Sequence, residues 1–80
     1  MDEQNRLHTI LSRILKIDLQ DIEEDMKPQD LKLWDSFNTM QIILEMEQEF
    51  DIQIDLEQII EIKSIKDFEA ILKQKNTNIS

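Results

Sequence analysis

The chain has 80 residues, enough for one small domain with a modest core, so a deep enzyme pocket is not expected. It contains no Gly, which excludes Gly-rich phosphate loops, and no Cys, which excludes disulfides and a thiol nucleophile of its own. The formal net charge of -9 makes nucleic acid a poor partner, because binding to phosphates needs basic groups.

The first predicted element is an amphipathic helix over about residues 2–17. Its apolar stripe follows the spacing i, i+3, i+4, i+7 and consists of Leu7, Ile10, Leu11 and Ile14. His8 is the only His of the chain and lies off this stripe. We therefore expect His8 to be a surface residue rather than a catalytic base.

Residues 18–35 are predicted to form a long connection, because acids, Pro28 and an irregular apolar pattern argue against a regular element. Long loops in compact domains are often functional. This one should be pinned to the core rather than free, since it carries spaced apolar residues: Ile22, Met26, Leu31 and Leu33.

A second helix is predicted over about residues 36–50. Asp35 or Ser36 can cap it, because a short side-chain oxygen can accept from the free N–H groups of the first turn. Phe37 and Met40 fall on a partly different face near the helix start. The inward stripe consists of Ile42, Ile43, Met46 and Phe50.

Two further helices complete an all-α prediction. A short helix over about residues 57–62 should bury Ile59, Ile60 or Ile62. The segment from Ser64 to Asp67 is similar to a capping box and opens a last helix over about residues 65–75. We expect one domain over residues 1–75 and a frayed polar tail over residues 76–80.

Acidic residues dominate the middle of the chain. No Lys or Arg occurs between Leu33 and Ile62, a stretch that holds Asp35, Glu45, Glu47, Glu49, Asp51, Asp55, Glu57 and Glu61. A face of one sign would steer basic partners toward it, and a merely solvated surface is the alternative. No uncharged run could span a bilayer and no signal peptide is evident, so we expect a cytoplasmic protein without membrane contact.

Ser36 stands at the predicted start of the second helix, where an isolated Ser is ordinarily only a cap. The place nevertheless suits a phosphate ester, because the free N–H groups and the positive dipole end of a helix stabilise an anion. The hydroxyl should be exposed at the end of the long loop. Phe37 and Met40 are apolar groups available to an acyl chain or to a partner protein.

In this setting the sequence resembles the acyl carrier proteins and the related peptidyl carrier domains. The family's signature is Asp-Ser-Leu at the start of the second helix, and Asp35-Ser36-Phe37 matches it with one conservative change. The stretch Asp35–Met40 is similar to Asp-Ser-Leu-Asp-Thr-Val, and Glu47–Ile54 to the acidic run, Phe and Ile that end that helix. The likeness continues through Glu57–Ile65 and covers nearly the whole chain.

The resemblance implies an acyl-carrier-like four-helix bundle and a monomeric carrier without catalytic activity of its own. It implies that a phosphopantetheinyl transferase attaches the 4′-phosphopantetheine of coenzyme A to Ser36, with Mg²⁺ held in part by Asp35. Cargo would then be carried as a thioester on the terminal thiol of the arm, near Phe37 and Met40. Acyl-activating, acyltransferase or synthase enzymes with basic patches would dock on Glu45, Glu47, Glu49, Asp55 and Glu57.

The chain departs from the family pattern at three places. Leu33-Trp34 stands where a small Gly often precedes the motif, and Asn38 and Gln41 stand where acids are often found. The first part of the second helix is therefore neutral, and the acidic face begins at Glu45. These departures favour a specialised lipid, polyketide or related pathway over housekeeping fatty-acid synthesis.

Two alternatives stay open at this point. One is an aminoacyl or peptidyl carrier, including the D-alanyl carrier of teichoic acid modification, which favours a Thr and a Gln in places similar to Thr39 and Gln41. In an unmodified helical adaptor, Ser36 would be only a cap and Phe37 and Met40 an interaction patch. An enzyme is disfavoured, because one His, no Cys and no Gly loop supply neither a triad nor an oxyanion site.

Overall fold

The structure is a computed structural model that describes residues 3–77, with side chains described as far as Lys75. It confirms the all-α fold, with four helices and no strand among the described residues. The helices are α1 (Glu3–Leu15), α2 (Ser36–Phe50), α3 (Leu56–Ile60) and α4 (Ile65–Thr77). The loop between α1 and α2 contains two single 3₁₀ turns, Leu19–Asp21 and Pro28–Asp30.

The core lies where the inward faces of α1, α2 and α4 meet. Its largest fully buried side chains are Leu7, Leu11, Ile42, Ile43, Met46, Ile65 and Phe68. Ile14 and Phe50 pack against this cluster while remaining partly exposed. The inward stripes predicted from helical spacing are thus confirmed, because side chains at i, i+3, i+4 and i+7 lie on one helix face.

The loop between α1 and α2 is pinned to the core, as predicted. Ile22, Met26 and Leu31 are partly buried against the core, whereas Leu33 is 38% exposed. The backbone N–H of Ile65 donates to the Met26 carbonyl at 3.0 Å, and that of Lys66 to the Glu24 carbonyl at 2.9 Å. These N–H groups at the start of α4 have no partner within the helix, so the loop satisfies them.

The ends of α1 and α2 adopt left-handed backbone without Gly. Lys16 has φ of 60° and Asp51 has φ of 55°. Beyond each cap, the N–H of Ile17 donates to the Ser12 carbonyl and that of Ile52 to the Glu47 carbonyl, both at 3.2 Å. Such bonds close a helix end most easily around Gly, so a side chain with a Cβ is strained there.

Several boundaries differ from the prediction. Helix α3 begins at Leu56 and ends at Ile60, and the Ile60 side chain is 69% exposed, whereas Ile59 and Ile62 are partly buried. Helix α4 ends at Thr77, two residues beyond its predicted end. The rest of the predicted tail, residues 78–80, lies outside the described residues.

His8 is half-buried, contrary to the expectation of a surface residue. Its Nε2 atom lies 2.6 Å from Glu69 Oε2, so the side chain joins α1 to α4. A helix-spacing argument places His8 beside the stripe but does not reveal that α4 covers this flank of α1. No helix within residues 3–77 has the length and apolar composition needed to cross a membrane.

The left-handed cap at Lys16 leads to a stability prediction. Lys16→Gly should raise the free energy of unfolding by about 1 kcal/mol, because it removes the Cβ that makes positive φ costly. Urea titration followed by circular dichroism measures the change. Lys16→Ala is the matched control, since it removes the same charge but keeps a Cβ. Equal unfolding free energies for the Gly and Ala variants would contradict the prediction.

Candidate functional site: the start of helix α2

Ser36 is the first residue of α2 and is exposed. Asp35 is the N-cap residue, and its Oδ1 atom accepts from the Asn38 backbone N–H at 2.9 Å. The capping role therefore belongs to Asp35. The Ser36 hydroxyl makes no hydrogen bond to any side chain or backbone group from Glu3 to Lys75. It is an accessible oxygen at the positive end of a helix, with no structural task within the described part of the chain.

Three hydrogen bonds lock the chain on either side of this serine. Trp34 Nε1 donates to Thr39 Oγ1 at 2.8 Å, and the Thr39 hydroxyl donates to the Asp35 carbonyl at 2.9 Å. Asn38 Nδ2 donates to the Leu33 carbonyl at 2.6 Å. The end of the loop and the first turn of α2 are thereby tied together, which fixes the backbone on both sides of the serine.

Trp34 anchors this junction in the core. Its side chain is only 4% exposed, and its ring lies against Phe68 of α4 with centroids 5.6 Å apart. A small Gly at this position would leave that volume of the core unfilled. The departure noted at Leu33-Trp34 thus gives the loop an aromatic anchor in the core.

A cavity of about 400 Å³ opens beside Ser36, between the start of α2 and α3. Its volume falls in the range of small-molecule sites. The walls are mainly apolar, with the polar groups gathered at the end nearest the serine. The lining residues are Pro28, Trp34, Asp35, Ser36, Thr39, Met40, Ile59, Ile60 and Ile62.

Of the two apolar residues predicted to lie near the arm, the structure brings only Met40 into this cavity. Phe37 is not among its lining residues and is 70% exposed. The contributions of Pro28, Ile59 and Ile62 were not predicted, because they depend on how the loop and α3 fold against α2. The sequence signal for them is only their apolar character within otherwise polar segments.

Two of the predicted docking acids form ion pairs with α1. Glu45 Oε1 lies 2.6 Å from Arg13 Nη2, and Glu49 Oε2 lies 2.8 Å from Arg6 Nε. The hydrogen bond and the charge of Glu45 raise the pKa of Arg13. Both pairs are largely exposed, so each is worth at most about 1 kcal/mol, yet both direct the carboxylates toward α1.

The other predicted docking acids are distributed along the chain after α2. Glu47 Oε2 accepts from the Ile54 backbone N–H at 2.9 Å, and Asp55 is the N-cap residue of α3. Glu57 is exposed and has no ion pair or hydrogen bond within residues 3–75. The five acids thus do not form one free face. Arg6 and Arg13 lie seven residues apart on one face of α1, but no local sequence pattern identifies Glu45 and Glu49 as their partners.

The bond between Trp34 and Thr39 leads to a second stability prediction. Thr39→Val should lower the free energy of unfolding by about 1–3 kcal/mol, because it leaves the indole N–H of buried Trp34 without an acceptor. Trp34 is the only Trp, so its fluorescence reports on this site during denaturant unfolding. Thr39→Ser keeps the hydroxyl and should retain most of the stability. Similar losses in both variants would argue against the hydrogen bond.

Comparisons with known proteins place this geometry in a family. A family model described as the phosphopantetheine attachment site matches residues 5–72. The matches among solved structures number 27 chains. One, described as an acyl carrier protein from Mycobacterium tuberculosis (Rv0033), is 29% identical with a TM-score of 0.78, covering 86% of this chain and 92% of that one. No curated protein matches at a significant level.

The exposed serine, the capping Asp35 and the adjoining cavity suit the attachment of a phosphopantetheine group, which the family model describes. An exposed hydroxyl at a helix start is accessible for esterification by a phosphate group. The apolar walls beside it can shield an apolar group attached through that ester from water. Carrier proteins of this kind are generally non-catalytic. The chain belongs to the phosphopantetheine attachment-site family of carrier proteins, which implies a covalently attached 4′-phosphopantetheine.

Proposed function

We propose that the chain is an acyl carrier protein with its phosphopantetheine attached at Ser36, serving a specialised lipid, polyketide or related pathway. The observation that carries the proposal is the Ser36 hydroxyl, which is exposed, lacks an internal partner and adjoins an apolar cavity. When attached, the arm supplies the terminal thiol on which cargo is held as a thioester. The chain itself supplies the attachment point, its orientation and a surface for partner enzymes.

Asp35 and the start of α2 are the residues that prepare Ser36 for attachment. The positive end of α2 stabilises the negative charge of a phosphodiester at this position. One oxygen of Asp35, Oδ1, accepts from Asn38, which holds the carboxylate in place. The other oxygen, Oδ2, has no hydrogen bond to the described residues and remains available to Mg²⁺ at a transferase active site.

The cavity favours an acyl cargo over an aminoacyl one. Met40, Ile59 and Ile62 offer apolar walls, which exclude water from a hydrocarbon chain. The ammonium group of an aminoacyl thioester would lose hydration against such walls. The one charged lining residue is Asp35, and it lies at the serine end of the cavity and already caps α2.

Partners and location follow from the proposed chemistry. Carrier domains of this family work with a phosphopantetheinyl transferase and with biosynthetic enzymes. We place this chain in the cytoplasm as a monomer, where coenzyme A supplies the arm. Acyl-activating, acyltransferase or synthase enzymes with basic patches are the proposed partners. Among the acids first considered for docking, the internal bonds of Glu45, Glu47 and Glu49 leave Glu57 as the most available.

Attachment at Ser36 is tested by intact mass. Incubation with coenzyme A, Mg²⁺ and a broad-specificity phosphopantetheinyl transferase should add one phosphopantetheine to the wild type and none to Ser36→Ala. Ser64 is the matched control, because it also stands before a helix but is only 5% exposed, and Ser64→Ala should still be modified. Circular dichroism checks that each variant is folded. Modification that survives Ser36→Ala would refute the assignment.

The cargo class is tested by loading the arm with an octanoyl or a D-alanyl group from the corresponding coenzyme A thioester. We expect the octanoyl group to shift the methyl resonances of Met40 and Ile59, because it lies in the cavity. The D-alanyl group should leave those resonances close to their positions with the unloaded arm. The methyl groups of Leu19, in the first 3₁₀ turn, are the internal control. Larger shifts with D-alanyl would favour the aminoacyl alternative.

A further inference from the structure

Trp34 belongs both to the cavity beside Ser36 and to the core. It lines the cavity, yet it is only 4% exposed. Every other described residue that lines the cavity is exposed or only partly buried. Trp34 is therefore the part of the cavity wall that faces the interior of the bundle.

The core lies directly behind the indole. The Trp34 ring lies against the ring of Phe68 on α4, with centroids 5.6 Å apart. Phe68 is fully buried and does not line the cavity, and the same holds for Ile43 and Met46 on α2. The indole thus separates the cavity from the core, and a chain in the cavity could reach Phe68 only by displacing it.

The indole is held in this position by a hydrogen bond as well as by packing. Trp34 Nε1 donates to Thr39 Oγ1 at 2.8 Å, and the Thr39 hydroxyl donates to the Asp35 carbonyl at 2.9 Å. Turning the ring aside would leave a buried N–H without an acceptor and would lose the packing against Phe68. A hydrocarbon chain offers no acceptor in exchange, so the wall on the core side is rigid.

The walls on the other side yield more easily. Met40 and Ile60 both line the cavity and are 42% and 69% exposed. The unbranched side chain of Met adapts its shape to a neighbour, and neither residue is held by surrounding core atoms. A chain that outgrows the cavity therefore leaves it between α2 and α3 and does not extend into the core.

The volume of the cavity sets a capacity. The cavity measures about 400 Å³. A methylene group takes up about as much volume as a water molecule, roughly 30 Å³, so there is room for on the order of ten chain carbons. Carbons beyond that number stay in contact with water and add little stabilisation.

We propose that Trp34 is a specificity-determining residue that limits the sheltered acyl chain to about ten carbons by closing the core to it. The cargo that this cavity fits is thus a short or medium-length acyl chain. The inference rests on the function proposed above, because a thioester on the Ser36 arm is what brings an acyl chain to the cavity.

The experiment compares acyl chains of increasing length on the full chain. A broad-specificity phosphopantetheinyl transferase loads hexanoyl, octanoyl, dodecanoyl or hexadecanoyl phosphopantetheine from the corresponding coenzyme A thioester, and urea unfolding followed by circular dichroism gives the midpoint. In the wild type, octanoyl should raise the midpoint by on the order of 1 M over the arm alone. Dodecanoyl and hexadecanoyl should give nearly equal midpoints, because both exceed the capacity.

Trp34→Ala should move this plateau to longer chains, because it opens the space in front of Phe68. Its midpoint without cargo should fall, yet hexadecanoyl should now raise the midpoint above that with dodecanoyl. Leu11→Ala is the matched control, because Leu11 is fully buried in the core but does not line the cavity. It should also lower the midpoint without cargo while keeping the wild-type plateau.

A measurement on the wild type alone tests the same limit where Trp34→Ala does not fold. The methyl resonance of Met40 should shift on loading with octanoyl, because Met40 lines the cavity. Those of Leu11 and Met46 should keep their positions with every chain, because the core is closed to the cargo. Hexadecanoyl shifts at Leu11 and Met46 as large as that at Met40 would place the chain in the core and overturn the proposal.

Two results of the urea series would also overturn the role of Trp34. One is a wild-type midpoint that keeps rising from dodecanoyl to hexadecanoyl. The other is a folded Trp34→Ala variant that keeps the wild-type plateau, which would assign the limit to another wall. A wild type that gains no phosphopantetheine, or gains no stability from any acyl chain, would instead refute the proposed function itself.

Discussion

The hydrogen bond from the Trp34 indole to the Thr39 hydroxyl connects the loop, the core and the start of α2, and the geometry of the site depends on all three. The indole is packed against Phe68 in the core, and the hydroxyl stands in the first turn of α2 and donates in turn to the Asp35 carbonyl. A buried indole N–H without an acceptor would carry its full desolvation cost, so loop, core and helix start are ordered together. The backbone position of Ser36 is fixed by the hydrogen bonds of Trp34, Asn38 and Thr39, and the Ser36 side chain takes no part in them.

Asn38 shows how a departure from the family pattern can serve the same junction. Its backbone N–H donates to the Asp35 carboxylate, and its side-chain amide donates to the Leu33 carbonyl. An ionised Asp at this position has no N–H to donate from its side chain. The neutral side chain at residue 38 is therefore explained locally by hydrogen bonding.

Helical spacing predicted the number of helices, their inward faces and the place of Ser36 at the start of α2, because each depends on short stretches of chain. It did not predict that Ile60 would be exposed or that His8 would meet Glu69, since both depend on how distant helices pack. The acids of α2 were assigned to docking from the uneven distribution of charge along the chain and from the family resemblance. Glu45 and Glu49 pair with arginines more than thirty residues away on α1, beyond the reach of local patterns, whereas Glu47 accepts from the nearby Ile54 backbone N–H.

The net charge and the exposed apolar surface beside Ser36 have opposite effects on self-association. An exposed apolar patch promotes association of any two molecules that carry it, whereas a charge of -9 on each copy of this chain opposes self-association. Arg6 and Arg13 pair with acids of α2 on the α1 side, whereas Glu57 and Glu61, beside the exposed Leu56 and Ile60 of α3, form no ion pair within residues 3–75. The like charges of Glu57 and Glu61 oppose the approach of a second copy at this surface, whereas basic groups on another protein would be attracted to them.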